Sequence, residues 1–312
     1  MPTHASFNRQ AFTLALPFTV IWASAFPATQ FALRDCPPLA FLCLRFLLAG
    51  LVLTALAYAQ GERFRLGPRD WLALALLAAS NQAFYLGVSW LGMRQLSSGL
   101  ATIIISASPI LVALLAIPLL GERMTLRKLV GLLLGFGGVV FVVSSRIGHG
   151  GSDSLRGALL VGCALLILSC GTVLFKRITV PASLLGGLGL QTLLASAIML
   201  PWSLATESWS AVQFSANTLG ALLWCVAVVS MGGYLLWFAL LRSADAGTVS
   251  AWLFLTPPLG LLMGWLLLDE QLVWRDLIGV LPVIIGILLV TRASASPTKA
   301  VREARPQGPA SP

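Results

Sequence analysis

The sequence predicts an all-α integral membrane protein: ten transmembrane helices arranged as two inverted five-helix repeats. Three observations predict this class. The 312 residues are 58% hydrophobic and only 10% charged, with a mean hydropathy of +0.90; a soluble domain carries about 25% charged residues. Ten apolar runs reach the ~20 residues that cross ~30 Å of hydrocarbon, and they lack the alternation of barrel strands. The chain also repeats itself 148 residues apart, with Gly99, Pro109, Glu122, Arg127, Gly131 and Gly138 recurring as Gly247, Pro257, Glu270, Arg275, Gly279 and Gly286. Each copy sits in a run of five crossings. An odd number makes the second copy enter from the opposite side, a signature of secondary transporters.

The runs are placed at 11–33, 38–60, 71–91, 98–120, 127–145, 156–176, 182–204, 218–241, 246–268 and 274–292. In the first, Trp22 and Ser24 precede Phe26 and Pro27; the sixth aligns with it and carries Cys170, Thr172 and Phe175. These aromatic and hydroxyl groups suit an amphipathic metabolite, and core packing accounts for them nearly as well. Residues 9–25 imitate a secretory signal. Cleavage there is rejected, because nine crossings would remain and the symmetry would be lost.

The second run holds Arg45, about 10 Å from its start at 1.5 Å per residue. An intramembrane charge needs a partner. No Asp or Glu lies deep in any run, Asp276 being only at the start of the tenth. The candidates are a substrate carboxylate, helix-end carbonyls or outer-surface water reached by snorkelling.

In the third run, Asn81 and Tyr85 are four apart and share a helix face; in the eighth, Ser230, Tyr234 and Trp237 do the same. Polar groups facing lipid are costly, so both faces point inward, to line a cavity or to bond the bundle together. Trp90, near a boundary, is expected to anchor at the interface.

Pro109 and Pro257 fall at matching positions of the fourth and ninth runs. Each removes an intrahelical hydrogen bond, and interruptions at matching positions point to a hinge or a site; a tolerated kink is the alternative. Glu122 and Glu270 follow these runs. An acid at a helix C-terminus opposes the dipole, and Arg123, Arg127 and Arg275 lie close in sequence. A structural loop role is therefore favoured over proton coupling. Gly131, Gly135 and Gly138 in the fifth run, with Gly279 and Gly286 in the tenth, predict close helix packing.

The domains follow: a first five-helix repeat over 1–148, a second over 149–292 behind the Gly/Ser-rich stretch 148–154, and a disordered cytoplasmic tail over 293–312. The +9 formal charge does not mean nucleic acid, because the basic residues occupy short loops between apolar runs. Of 20 Lys and Arg, Arg34, Arg94, Arg146, Arg156 and Arg275 are outer if the N-terminus is inside; Arg45 is within a helix and the other 14 are inner. That bias predicts both termini in the cytoplasm. The five cysteines match no metal motif, and His4 and His149 lie outside the runs. No cofactor or metal site is called for. With no His, Asp or Glu in a helix interior, an intramembrane enzyme lacks its machinery.

The residues Ser98-Gly99-Leu100-Ala101, Ser108-Pro109 and Leu120-Gly121-Glu122-Arg123 recur as Ala246-Gly247, Thr256-Pro257 and Leu268-Asp269-Glu270. With Arg45-Phe46, they make the chain resemble the ten-helix, two-EamA-domain branch of the drug/metabolite transporter superfamily. It departs at Asp269, where Gly is usual, and at Gln191, which aligns with Arg45 after a two-residue slip. The resemblance spans nearly the whole chain. It implies export of amino acids or other small metabolites across a bacterial inner membrane. A passive facilitator and a non-transporting scaffold or sensor remain the alternatives.

Overall fold

The protein is seen in a computed structural model that describes residues 4–105, 107–120, 125–146, 153–178, 182–233, 236, 256–272 and 274–294. Among them are helices and no strand. Helix α1 is His4–Asp35, α2 Pro38–Ala59 and α3 Pro68–Met93. Helix α4 has two arms, Ser98–Ile105 and Ser108–Leu120. Then come α5 (Leu126–Arg146), α6 (Leu155–Arg177), α7 (Leu184–Thr206), α8 (Ala216–Gly233), α9 (Thr256–Leu268) and α10 (Trp274–Ser294). Every predicted run therefore contains helix. Six helices are long and apolar enough to cross a membrane among the described residues. The outward faces of the helices are greasy: Leu51, Leu72, Leu133, Phe136, Leu204 and Leu281 are all more than half exposed, which only a hydrocarbon solvent rewards.

Glycines set the closest approaches. On α5 and α10, a Cβ built on Gly138 would stand 2.8 Å from the Gly279 carbonyl oxygen, and one on Gly286 only 2.4 Å from that of Gly131. The two backbones therefore touch, as the predicted small-residue stripe requires. Helices α2 and α7 pack the same way. A Cβ on Gly50 would meet the Leu193 backbone nitrogen at 2.8 Å, and one on Gly189 the Thr54 nitrogen at 2.8 Å. Helices α3 and α6 touch through Gly92 and Gly157, each carbonyl oxygen 2.9 Å from the other's built Cβ.

Acids that follow one helix cap the start of another. The Glu207 carboxylate, beyond α7, accepts from the Leu39 and Ala40 N–H groups of α2 at 3.1 and 2.8 Å. Glu62, beyond α2, accepts from Ser183 N–H at 2.7 Å and from the Ser183 hydroxyl, at the start of α7. The exchange is reciprocal, so α2 and α7 run antiparallel. Glu270, beyond α9, accepts from Ser98 N–H at 2.7 Å and Gly99 N–H at 3.1 Å, at the start of α4. Its physical role is thus the neighbour's unsatisfied N-terminus, which resolves the opposed-dipole objection raised by its own helix. Asp269 makes the turn that returns Glu270, at φ 54°, a left-handed conformation that explains why glycine is usual there. Glu122, the matching acid, lies outside the described residues.

One expectation is corrected. Trp90 is buried at 2% exposure and stacks on Phe41 at 5.1 Å; α2 covers it, so it packs the core instead of anchoring at the interface. On α6, Cys170 and Phe175 are exposed, Thr172 is half-buried and Val173 is buried.

Candidate substrate site

Helices α3 and α8, paired by the sequence repeat, are both irregular. Residues Ala79–Ala83 of α3 and Trp224–Gly233 of α8 wind as π-helix. A π turn shifts the hydrogen-bond ladder by one residue and frequently accompanies a functional site. The first contains Asn81 and the second Ser230, with Tyr85 one turn beyond the first. Sequence periodicity carries no signal for such turns.

Arg45 reaches α8 from α2. Its Nε donates to Ser230 Oγ at 3.2 Å, with Arg45 5% exposed and Ser230 2%. Two residues that the sequence singled out separately, 185 positions apart, therefore form one buried pair. The guanidinium also lies 6.0 Å from the Phe46 ring centroid. Guanidinium has five N–H donors and a permanent charge, and the serine supplies a neutral acceptor for one of them. Among the described residues every acid lies at a helix end or in a loop, so the described helix interiors offer no balancing carboxylate.

The other predicted residues have different neighbours. Asn81 turns to α6, its Nδ2 donating to the Gly171 carbonyl at 3.3 Å. Tyr85 is buried at 7% exposure within the apolar core that includes α4 and α6. Trp22 is half-buried, its ring 5.8 Å from that of Phe18. Ser24 Oγ accepts from Trp224 Nε1 at 2.9 Å and donates to the Ile21 carbonyl at 2.7 Å. Thr172 donates back to Leu168 O within α6. Pro109 is the second residue of the segment Ser108–Leu120, and Pro257 follows Thr256 in the described part of α9. Ala107 ahead of Ser108 is in a turn, so Pro109 opens the segment that follows, where its missing N–H costs nothing. Tyr234 and Trp237 lie outside the described residues.

Sequence reasoning passed over Gln82, whose Nε2 donates to Thr192 Oγ1 of α7 at 3.0 Å while its buried Oε1 has no hydrogen-bond partner. It also passed over Gln30 on α1, whose Nε2 donates to the Met93 and Leu96 carbonyls at the end of α3, at 3.1 and 2.7 Å. An uncharged amide in an apolar run was the available signal for both.

The EamA-like transporter family model matches this sequence twice, over residues 10–144 and 155–292. The chain belongs to the EamA-like transporter family. It is 32% identical over 290 residues to the uncharacterized transporter YvbV of Bacillus subtilis, covering 92% of this chain and 94% of that one. It is 24% identical to the "Probable amino-acid metabolite efflux pump" of Escherichia coli K12, covering 90% and 95% of the two chains. It is 29% identical to the protein PecM of Dickeya dadantii over 86% and 88%. A solved crystal structure superposes with a TM-score of 0.65 at 17% identity, covering 92% of this chain and 99% of the other, and shares the fold. This EamA protein is accordingly a multi-pass membrane transporter, built of apolar helices, acting on a small molecule.

Proposed function

We propose that this EamA protein is a secondary transporter that exports amino acids or related small metabolites across the cell's inner membrane by alternating access. In this reading it has ten spans in two inverted repeats, 1–148 and 149–292, with both termini cytoplasmic. The reciprocal Gly138–Gly279 and Gly286–Gly131 approaches and the exchanged Glu62 and Glu207 caps support the inversion, as does the doubled family match. The amino-acid assignment draws support from the name of the Escherichia coli relative.

The observation that carries the site is the buried Arg45–Ser230 pair. A cation in low dielectric is costly without a counter-charge. A substrate carboxylate supplies one and takes the remaining N–H donors in the planar geometry guanidinium favours. In this reading Ser230 of α8, Asn81 and Tyr85 of α3, and Tyr234 and Trp237, which follow in the eighth apolar run of the sequence, frame the rest of an amphipathic ligand, while Trp22, Ser24 and Thr172 flank it. Pro109 and Pro257 serve as matched hinges between arms. A passive facilitator is the second reading, favoured by the lack, among the described residues, of any acid within a helix interior to carry a coupling proton.

A thermal-shift screen tests the site. Amino acids should raise the melting temperature of the purified protein, their methyl esters should not, and Arg45→Gln should abolish the response while leaving the unliganded melt cooperative. Equal shifts for acids and esters would remove the carboxylate reading.

A further inference from the structure

A crevice of about 350 Å³ opens between α1, α8 and α9. Ser24 and Phe31 of α1 form its floor; Asn217, Gly220 and Trp224 of α8 and Leu267 of α9 form its walls. Gly220 and Trp224 belong to a membrane-length apolar helix and Leu267 to a shorter apolar one, and all three are exposed, so the crevice opens on an outward apolar flank. The Trp224–Ser24 hydrogen bond closes its deep end. The mouth is polar. Phe31 carries the Arg34 guanidinium 4.7 Å above its ring. Asn217 Nδ2 donates to Asp35 Oδ2 at 3.1 Å, and the Ser215 hydroxyl donates to the same oxygen at 2.5 Å. From Asp35 back to Ser24 is eleven residues of α1, about 16 Å at 1.5 Å per residue, close to one leaflet of a ~30 Å core.

The geometry points to a phospholipid with a zwitterionic headgroup bound in this crevice. One acyl chain lies along Phe31, Gly220 and Leu267 as far as Trp224, the phosphate sits at Arg34, and the ammonium at Asp35. The space is mostly apolar and its deep hydroxyl is already bonded, so water gains nothing there. Leaving it empty forfeits dispersion contacts along both walls, and acyl chains are the neighbours available to restore them. The mouth sets the headgroup class: a cation and an anion side by side match a phosphate and an ammonium, and Asp35 disfavours a purely anionic lipid. This site shares Ser24 with the proposed substrate site but uses neither Arg45 nor Ser230, the pair that carries the transport reading.

Gly220 offers a clean test, because a Cβ there meets nothing within 4 Å and a side chain would fill the crevice without moving backbone. The full-length protein in mild detergent is offered equal phosphatidylethanolamine and phosphatidylglycerol, and retained lipid is counted by native mass spectrometry. The wild type should hold one phosphatidylethanolamine. Gly220→Leu should retain about tenfold less or lower still, Gly220→Ala an intermediate amount, both with an unchanged melt. Asp35→Asn should move the preference toward phosphatidylglycerol, and Arg34→Gln should weaken both lipids. Undiminished lipid in Gly220→Leu, or a wild type that does not distinguish the two headgroups, overturns the proposal. So does a Gly220→Leu variant that keeps the lipid and loses binding of an amino acid.

Discussion

Adding one methyl group should have opposite consequences at two glycines of the α5–α10 pair. A Cβ on Gly286 would stand 2.4 Å from Gly131 O and 2.6 Å from Gly135 N. Both are backbone atoms and cannot rotate away, so Gly286→Ala must push the helices apart. A gap of roughly 0.5–1 Å forfeits a quarter to a half of each dispersion contact it opens, and overpacking of this kind costs about 1–3 kcal/mol. At Gly137 nothing lies within 4 Å of the built Cβ. There alanine only reduces the freedom of the unfolded chain and improves helix propensity, a gain of about 0.5–1 kcal/mol. Gly138→Ala, meeting Gly279 O at 2.8 Å, should fall between them. Unfolding of the three variants in one detergent should give the order Gly137→Ala, Gly138→Ala, Gly286→Ala from most to least stable, with the wild type below the first and above the last. A Gly286→Ala protein as stable as Gly137→Ala would refute the backbone contact.

Glu207→Ala and Glu270→Ala should each cost about 2–3 kcal/mol, since each strands two helix N–H groups that met a carboxylate; Gln, which retains one acceptor, should cost less in the same unfolding assay. Cys36 is buried, and burial first, then the Glu207 charge, pushes its thiol up from 9.0 to about 12. The raised value keeps the thiol protonated, so its thiolate fraction at pH 8 is roughly 10³-fold below that of an ordinary thiol. Maleimide should modify the Cys36 peptide only after denaturation, and rapid labelling in the folded protein would contradict its burial. A cysteine placed at Gly150 should be labelled from outside intact cells and one at Pro306 should not; labelling of the latter would invert the proposed orientation.

Apolar length and the 148-residue repeat made the helices legible, and the glycine stripe made the α5–α10 contact legible, because both are written as local spacing. The two π turns were not, since each depends on how neighbouring helices reroute the hydrogen bonds of a segment whose composition suits a regular helix. Arg45 and Ser230 stood out for the cost of burying them, yet their pairing needed the α2–α8 packing. Glu270 shows the limit most clearly. Its own helix gave it an unfavourable position, and only the antiparallel neighbour α4 revealed the N-terminus it caps. Ser24 and Trp224 likewise meet across 200 residues of sequence, in a crevice no single helix pattern describes.

Counterflow in proteoliposomes tests the central claim most directly. Vesicles preloaded with the amino acid that best stabilises the protein should take up the same labelled amino acid transiently, and should ignore its methyl ester. Arg45→Gln should reduce that uptake by about tenfold or more, the worth of one lost charge-assisted contact of ~1.5–3 kcal/mol, at equal amounts of folded protein. Uptake of acid and ester at equal rates, or undiminished exchange by Arg45→Gln, would contradict a substrate carboxylate held at the Arg45–Ser230 pair.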